Sequence, residues 1–421
     1  TVSGDCPIRC IGDFTVLEEA DFAVVEECHI IDGNLTIGTP SAVTSLLSDL
    51  DALNSLESVT GNLNINRNHA LENIDGLANL QSVGGFLGIA DNAMLTHVDG
   101  LANLESVGGS LYLNGSTLFG SEILDIDGLT SLESIGGHLV LFELTALSDI
   151  DGLSSLATVG GEVDIMSNDA LISVEGLSSL SSVGGALSIR FNPILANLDG
   201  LESIEIVNGN LSIHWNEMLT EMDGLSSLRS VAGSIEIFRN GLTESDVLPS
   251  LETVSGDLRI FNNDALTSLC GGSWSSFVCL GEGLNELISV GGDLEVYENP
   301  ELLQLPTMTH ISSVGGKLNI YENPELYHID GIAGLTTVGS TLTISDTRTT
   351  TLNGLASLET VGGSIKFRSN ARLNDIDGLG ALTSAGSSIR FELNRNLCST
   401  DIDAFHDRMI ALGWDRTFRE W

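Results

Sequence analysis

At 421 residues the chain is long enough for two or three globular domains unless it repeats itself. Its 58 acidic and 16 basic residues give a formal charge of −42, which argues against nucleic acid and disfavours an anionic membrane surface as partners because like charges repel. With 42% hydrophobic but only 5% aromatic residues, 47 glycines and 7 prolines, the composition fits many short strands joined by tight turns and excludes a helix-rich architecture.

The N-terminal residues show no basic segment followed by an apolar one, and no stretch approaches the roughly 20 apolar residues of a membrane span. The chain therefore reads as a mature, soluble segment with no membrane insertion. Spacing predicts a short helix over 18–27 that carries Phe22 and Val25 and lies against Cys28.

From residue 35 onward a G-x-L-x-I pattern sets strand cores, beginning with Leu35/Ile37, Leu63/Ile65 and Leu87/Ile89 and ending with Ile389/Phe391. Most steps between cores are 23 or 24 residues, with longer ones after Leu35, Leu111 and Leu258. A fixed period of this size predicts an all-β, right-handed β-solenoid of about fifteen turns, about 70 Å long at about 4.8 Å per strand. Glycine pairs such as Gly84-Gly85 and Gly108-Gly109 precede the strands, where little room is left for a Cβ. Three residues after most cores stands an asparagine, from Asn68 to Asn394, which predicts an inward ladder of amides; it lapses at Ser116, Leu144 and Thr347. Asp-Gly steps at Asp75, Asp99, Asp127 and later turns are explained by turn chemistry without calcium.

Strand alternation turns the middle residue of L-x-I and its flanking residues outward. The flanking position carries Phe142, Met166, Arg190, His214, Phe238, Phe261, Tyr297 and Tyr321, a stripe that predicts an interaction face. Phe191 and Trp215 follow it at a corner where they can point inward. Arg190, Arg259, Lys317, Lys366, Arg368 and Arg390 make this face less acidic than the rest, suiting an acidic partner or a glycan. An insertion between Leu266 and Leu287 carries Trp274 and Phe277 as a second candidate contact, in a loop that Cys270 and Cys279 are close enough to close.

Near the C-terminus, Ser399 or Thr400 can cap a helix with Ile402, Phe405, Met409 and Leu412 on one face, ending at Gly413, which makes it a lid. The six cysteines lie near the ends and in the insertion, none in zinc-ligand pairs, so disulfides and an oxidising compartment are expected. Sequons at Asn34, Asn114 and Asn210 are candidate glycosylation sites. No nucleophile elbow, metalloprotease or phosphate-loop text occurs, so neither an enzyme, a metal site nor a cofactor is expected.

The strand-turn text, such as L-E-S-V-G-G-S-L-Y-L at 104–113, resembles the receptor L-domain group of leucine-rich repeats over nearly the whole chain. The opening, Cys10 to Cys28 followed by I-I-D-G-N-L-T-I, is similar to the start of such domains, which implies a Cys10–Cys28 tie in the cap. Fifteen turns exceed a receptor L domain and resemble extended surface-protein members. The resemblance implies this fold and a secreted or cell-surface binding or adhesive role, without catalytic residues.

The organisation expected is a disulfide-tied cap at 1–30, a solenoid at 31–397 with an insertion at 267–287, and a helical cap at 398–421. Two functions fit: recognition of a protein or glycan along the strand face, or a structural subunit that binds copies of itself. With Cys10 paired to Cys28 and Cys270 to Cys279, Cys6 and Cys398 remain at opposite ends. They can join copies head to tail, or Cys398 is a thiol buried under the lid and Cys6 pairs locally or beyond this segment.

Overall fold

The computed structural model describes residues 6–38, 45, 47–115, 123–243, 247–269 and 283–420. The chain divides into two compact units, Thr1–Ile204 and Glu205–Trp421. Both are parallel β-solenoids. The first holds the seven strand cores from Leu35 to Leu187, the second the eight from Leu211 to Ile389, which gives the fifteen turns read from the period.

Each turn is built the same way. A four-residue strand such as Leu63–Asn66 is followed by a corner, a straight apolar segment, in most turns a single 3-10 turn such as Asp75–Leu77, and a two-residue strand such as Ser82–Val83. The longer strands pair in parallel with those of neighbouring turns, Leu63 opposite Leu87 and Ile65 opposite Ile89. The short strands pair likewise, Ser82 opposite Ser106. Because every pairing preserves register, equivalent residues stack into columns.

Leucine and isoleucine fill the interior in layers. In one turn Leu71, Ile74, Leu77, Leu80, Val83, Leu87 and Ile89 are all buried to within 1% exposure. Full burial of each such side chain contributes about 1.5–3 kcal/mol, but only once a neighbouring turn covers the layer. The Asp-Gly steps gain a reason beyond turn chemistry here. A Cβ on Gly100 would overlap the Ile74 carbonyl of the turn below, so glycine is set by the close stacking of turns.

The corner after each strand is held by the amide ladder. Asn168 Nδ2 donates to the Leu141 carbonyl of the preceding turn, and the Asn168 backbone N–H donates to Asn192 Oδ1 of the next at 3.1 Å. Where the ladder lapses, Leu144 is fully buried yet still donates its N–H to Asn168 Oδ1. Thr347 substitutes a hydroxyl that bonds Asn370 Oδ1 at 2.8 Å. Ser116 lies outside the described residues.

The residue just before each ladder position adopts left-handed backbone, as at Arg67, Asp91, Glu143, Phe191, Trp215 and Leu393, with φ between 54° and 58°. That conformation turns the side chain outward. Phe191 is 39% exposed and Trp215 half-buried, so neither points inward as the corner position had allowed.

Both ends differ in detail from the sequence reading. The Cys10–Cys28 disulfide is formed, but the cap is largely strand: Arg9–Ile11 and Phe14–Val16 pair with Ile30–Asp32 and Leu35–Gly38. The helix expected over 18–27 is a 3-10 segment, Glu19–Val24, entered where Asp21 Oδ2 accepts from the Leu17 and Glu18 N–H groups. At the other end the α-helix Ser399–Ala411 buries Ile402, Phe405 and Met409, while Leu412 is 50% exposed. Cys398, not Ser399 or Thr400, occupies the N-cap position, and Gly413 follows the helix at φ 88°. Cys398 is an exposed free thiol and is not covered by the helix; Cys6 is likewise free and exposed.

Arg408 closes the last turn in a way sequence reasoning missed. Its guanidinium donates to the carbonyls of Leu379, Gly380 and Leu382 at 2.6–3.0 Å, and at Gly380 it takes the place of the next-turn side chain that bonds the equivalent carbonyl elsewhere, as Asn103 does at Ala78. A final strand, Phe418–Glu420, returns to pair with Ile389–Phe391.

Candidate recognition face

The outward columns of the long strands form the candidate face, and the two units differ there. In the first unit Phe142 is flanked in register by Asn114 and Met166, so it joins no ring stack. Arg190 follows Met166 in register and binds Asp164 in bidentate fashion at 2.9 and 3.3 Å.

In the second unit the same position gathers five rings. His214, Phe238, Phe261, Tyr297 and Tyr321 stack with centroids 4.3–4.7 Å apart and interplanar angles of 5–13°. In-register pairing at the strand spacing forces this parallel stacking. All five are half-buried. Their faces are covered by one another, so the ladder presents ring edges and two phenol hydroxyls outward.

The ladder sits among charges that fix it. Arg259 stands in the neighbouring column, clamped by Asp257 Oδ2 at 2.6 Å, Glu295 Oε2 at 2.9 Å and Glu236 Oε1 at 3.1 Å. Burial, and then neighbouring Tyr321, Glu295 and Glu298, push the Tyr297 phenol up to about 12. Tyr321 is raised as well, by burial first and then by Glu295, Glu298 and Glu322.

At the corner beside the ladder, a hollow of about 450 Å³ is lined by Trp215, Glu217, Arg239, Gly241, Asn262 and Asp264. It arises because Asn240-Gly241-Leu242 is one residue shorter than the neighbouring Asn216-Glu217-Met218-Leu219. The Arg239 guanidinium lies 4.2 Å over the Trp215 ring. The turn at Thr347-Arg348-Thr349 is shortened in the same way, but there Arg348 reaches Glu325.

Other predicted residues are dispersed. Trp274, Phe277, Cys270 and Cys279 lie outside the described residues. Asn210 is exposed, whereas Asn34 donates its amide to Asp13 and Asn114 is half-buried. Among the described residues no cluster of His, Cys, Asp or Glu is arranged to hold a metal, and no helix is long and apolar enough to cross a membrane.

The receptor L domain family model matches residues 27–98 and again residues 203–271. Both segments are similar to receptor L domains, and the chain's resemblance to that family is shown on them. The second holds His214, Phe238 and Phe261, the first three rings of the ladder. A receptor L domain is an extracellular, ligand-binding and non-enzymatic kind of domain. No curated protein matches the chain.

Proposed function

We propose that the chain is a secreted or cell-surface recognition module whose second unit contacts a protein partner along its strand face. The in-register ladder from His214 to Tyr321 carries this reading, because it concentrates aromatic surface in one outward column of an acidic, aromatic-poor chain. A glycan fits the ladder less well. Ring faces that would stack on sugars are already paired with each other, leaving edges and hydroxyls suited to apolar and polar side chains.

The test is binding of the intact chain to an array of extracellular proteins, followed by the Tyr297→Ala/Tyr321→Ala double variant. Loss of about tenfold or more in affinity for a captured partner, with Glu301→Ala unchanged, is the expected result. An unaltered affinity in the double variant overturns the assignment of this face.

A second reading, a structural subunit that joins copies of itself, draws on the two exposed free thiols, Cys6 and Cys398. Large species that collapse on reduction, and that Cys398→Ser abolishes, would favour it over the recognition module.

A further inference from the structure

We infer that the C-terminal end of the second unit's strand face carries a subsite for a linear polysaccharide bearing sulfate or carboxylate groups. The inference goes beyond the ladder and does not rest on it.

Half of the chain's basic residues, eight of sixteen, fall within residues 366–421, where they equal the eight acidic ones; everywhere else acids dominate heavily. Register concentrates them further. Lys366 stands opposite Arg390, and Arg390 opposite Arg419, so three cations share one outward column, with Arg368 beside it. Lys366, Arg368 and Arg419 are exposed and Arg390 is half-buried.

Other cations on the long-strand face are neutralised locally: Arg190 by Asp164, Arg259 by three carboxylates, Lys317 by Asp293. In the C-terminal column, by contrast, no ion pair forms among the described residues, and Arg390 Nε donates only to Ser388 Oγ. Like charges directly opposite one another on neighbouring strands destabilise a sheet. A fold that spends stability on such a column, in a chain with carboxylates to spare, marks a site shaped by a ligand.

The geometry selects the class of anion. Guanidinium forks match planar oxyanions. The column repeats at the strand spacing of about 4.8 Å, whereas same-side carboxylates of an extended peptide recur about 6.6 Å apart, so an acidic peptide lying along it falls out of step. Alongside the cations, the residues preceding these paired strands are Thr341, Ser364, Ser388 and Thr417, an uncharged row of hydroxyls in which Ser388 is buried and the rest suit the hydroxyls of sugars. Glu392 stands opposite Arg368 and borders the column, yet among the described residues it forms no ion pair with it, and salt screens more distant acidic residues over a Debye length of about 8 Å.

The experiment measures binding of the full chain to immobilised heparin, polygalacturonate, neutral dextran and poly-L-glutamate. Binding to heparin or polygalacturonate but not to dextran is expected, and which of the two binds tells sulfate from carboxylate. Lys366→Gln/Arg390→Gln/Arg419→Gln should weaken it at least tenfold, while Tyr297→Ala/Tyr321→Ala leaves it unchanged. Absence of binding to both charged polysaccharides, equal binding to poly-L-glutamate, or an unaffected triple variant overturns the subsite. The triple variant should also melt at or above the parent temperature, since it removes in-register repulsion; a lower midpoint overturns the argument from like charges.

Discussion

Leu393 shows how much of each corner is decided below the level of sequence pattern. Its φ of 58° places a branched apolar side chain, 48% exposed, in a conformation that costs an ordinary L-residue about 1–2 kcal/mol. Asparagine visits that region more readily, so Leu393→Asn should stabilise the second unit by about 0.5–1 kcal/mol, read from urea denaturation. The asparagines that follow these corners act in the opposite sense. Asn299 donates to the Ile260 and Tyr297 carbonyls and accepts from the Asn263 N–H, so Asn299→Ala should cost about 1–3 kcal/mol for each buried group left alone. The ladder was legible because one residue type recurs at one spacing. The left-handed corner was not, because Arg67, Glu143, Phe191 and Leu393 share a backbone and no side-chain property.

At the scale of elements, alternation predicted which strand residues face outward, and the ring column followed from it. What alternation could not supply was ring orientation. Parallel stacking emerges only when the strands are in register, and it changes the chemistry on offer from ring faces to ring edges. The stacking also bears on alkaline stability. The Tyr297 phenol is raised from 10.0 to about 12 in the folded state, so between those values the unfolded chain loses its proton while the folded one keeps it. Stability is therefore unaffected below pH 10 and falls as pH rises from about 10 towards 12. Tyr297→Phe should soften that fall, and a phenolate absorbance titration of the folded chain should lose its latest component. The lid helix was readable from its apolar spacing, but the strand after it and the Arg408 contacts were not, since both depend on the exposed edge of the last turn. Phe405 is 7% exposed beneath that helix, and Phe405→Ala should cost about 3–5 kcal/mol in thermal or urea unfolding.

For the molecule as a whole, the period announced a solenoid, whereas the disulfide was implied by family resemblance and composition gave only the class of compartment. The Cys10–Cys28 bond closes a short loop, 18 residues apart in sequence, and pins strands that begin both sheets of the first unit. Replacing both cysteines by serine should lower stability by about 3 kcal/mol, with hydrogen exchange rising first around Phe14–Val16 and not in the second unit. Charge is the property least evident from a residue count. The figure of −42 describes a chain whose final residues are balanced, and only strand pairing shows that several of their cations share a column.

Strict register between turns means that each turn offers the next the same template of donors, acceptors and apolar contacts. Length is then a free variable of the architecture: a turn can be duplicated or excised without asking its neighbours to change. The inward letters are copied with little variation, while the outward letters drift independently from one turn to the next. A chain of this kind resembles a keyboard more than a lock, since new specificities can be written along its face by exchanging keys while the frame beneath remains in tune.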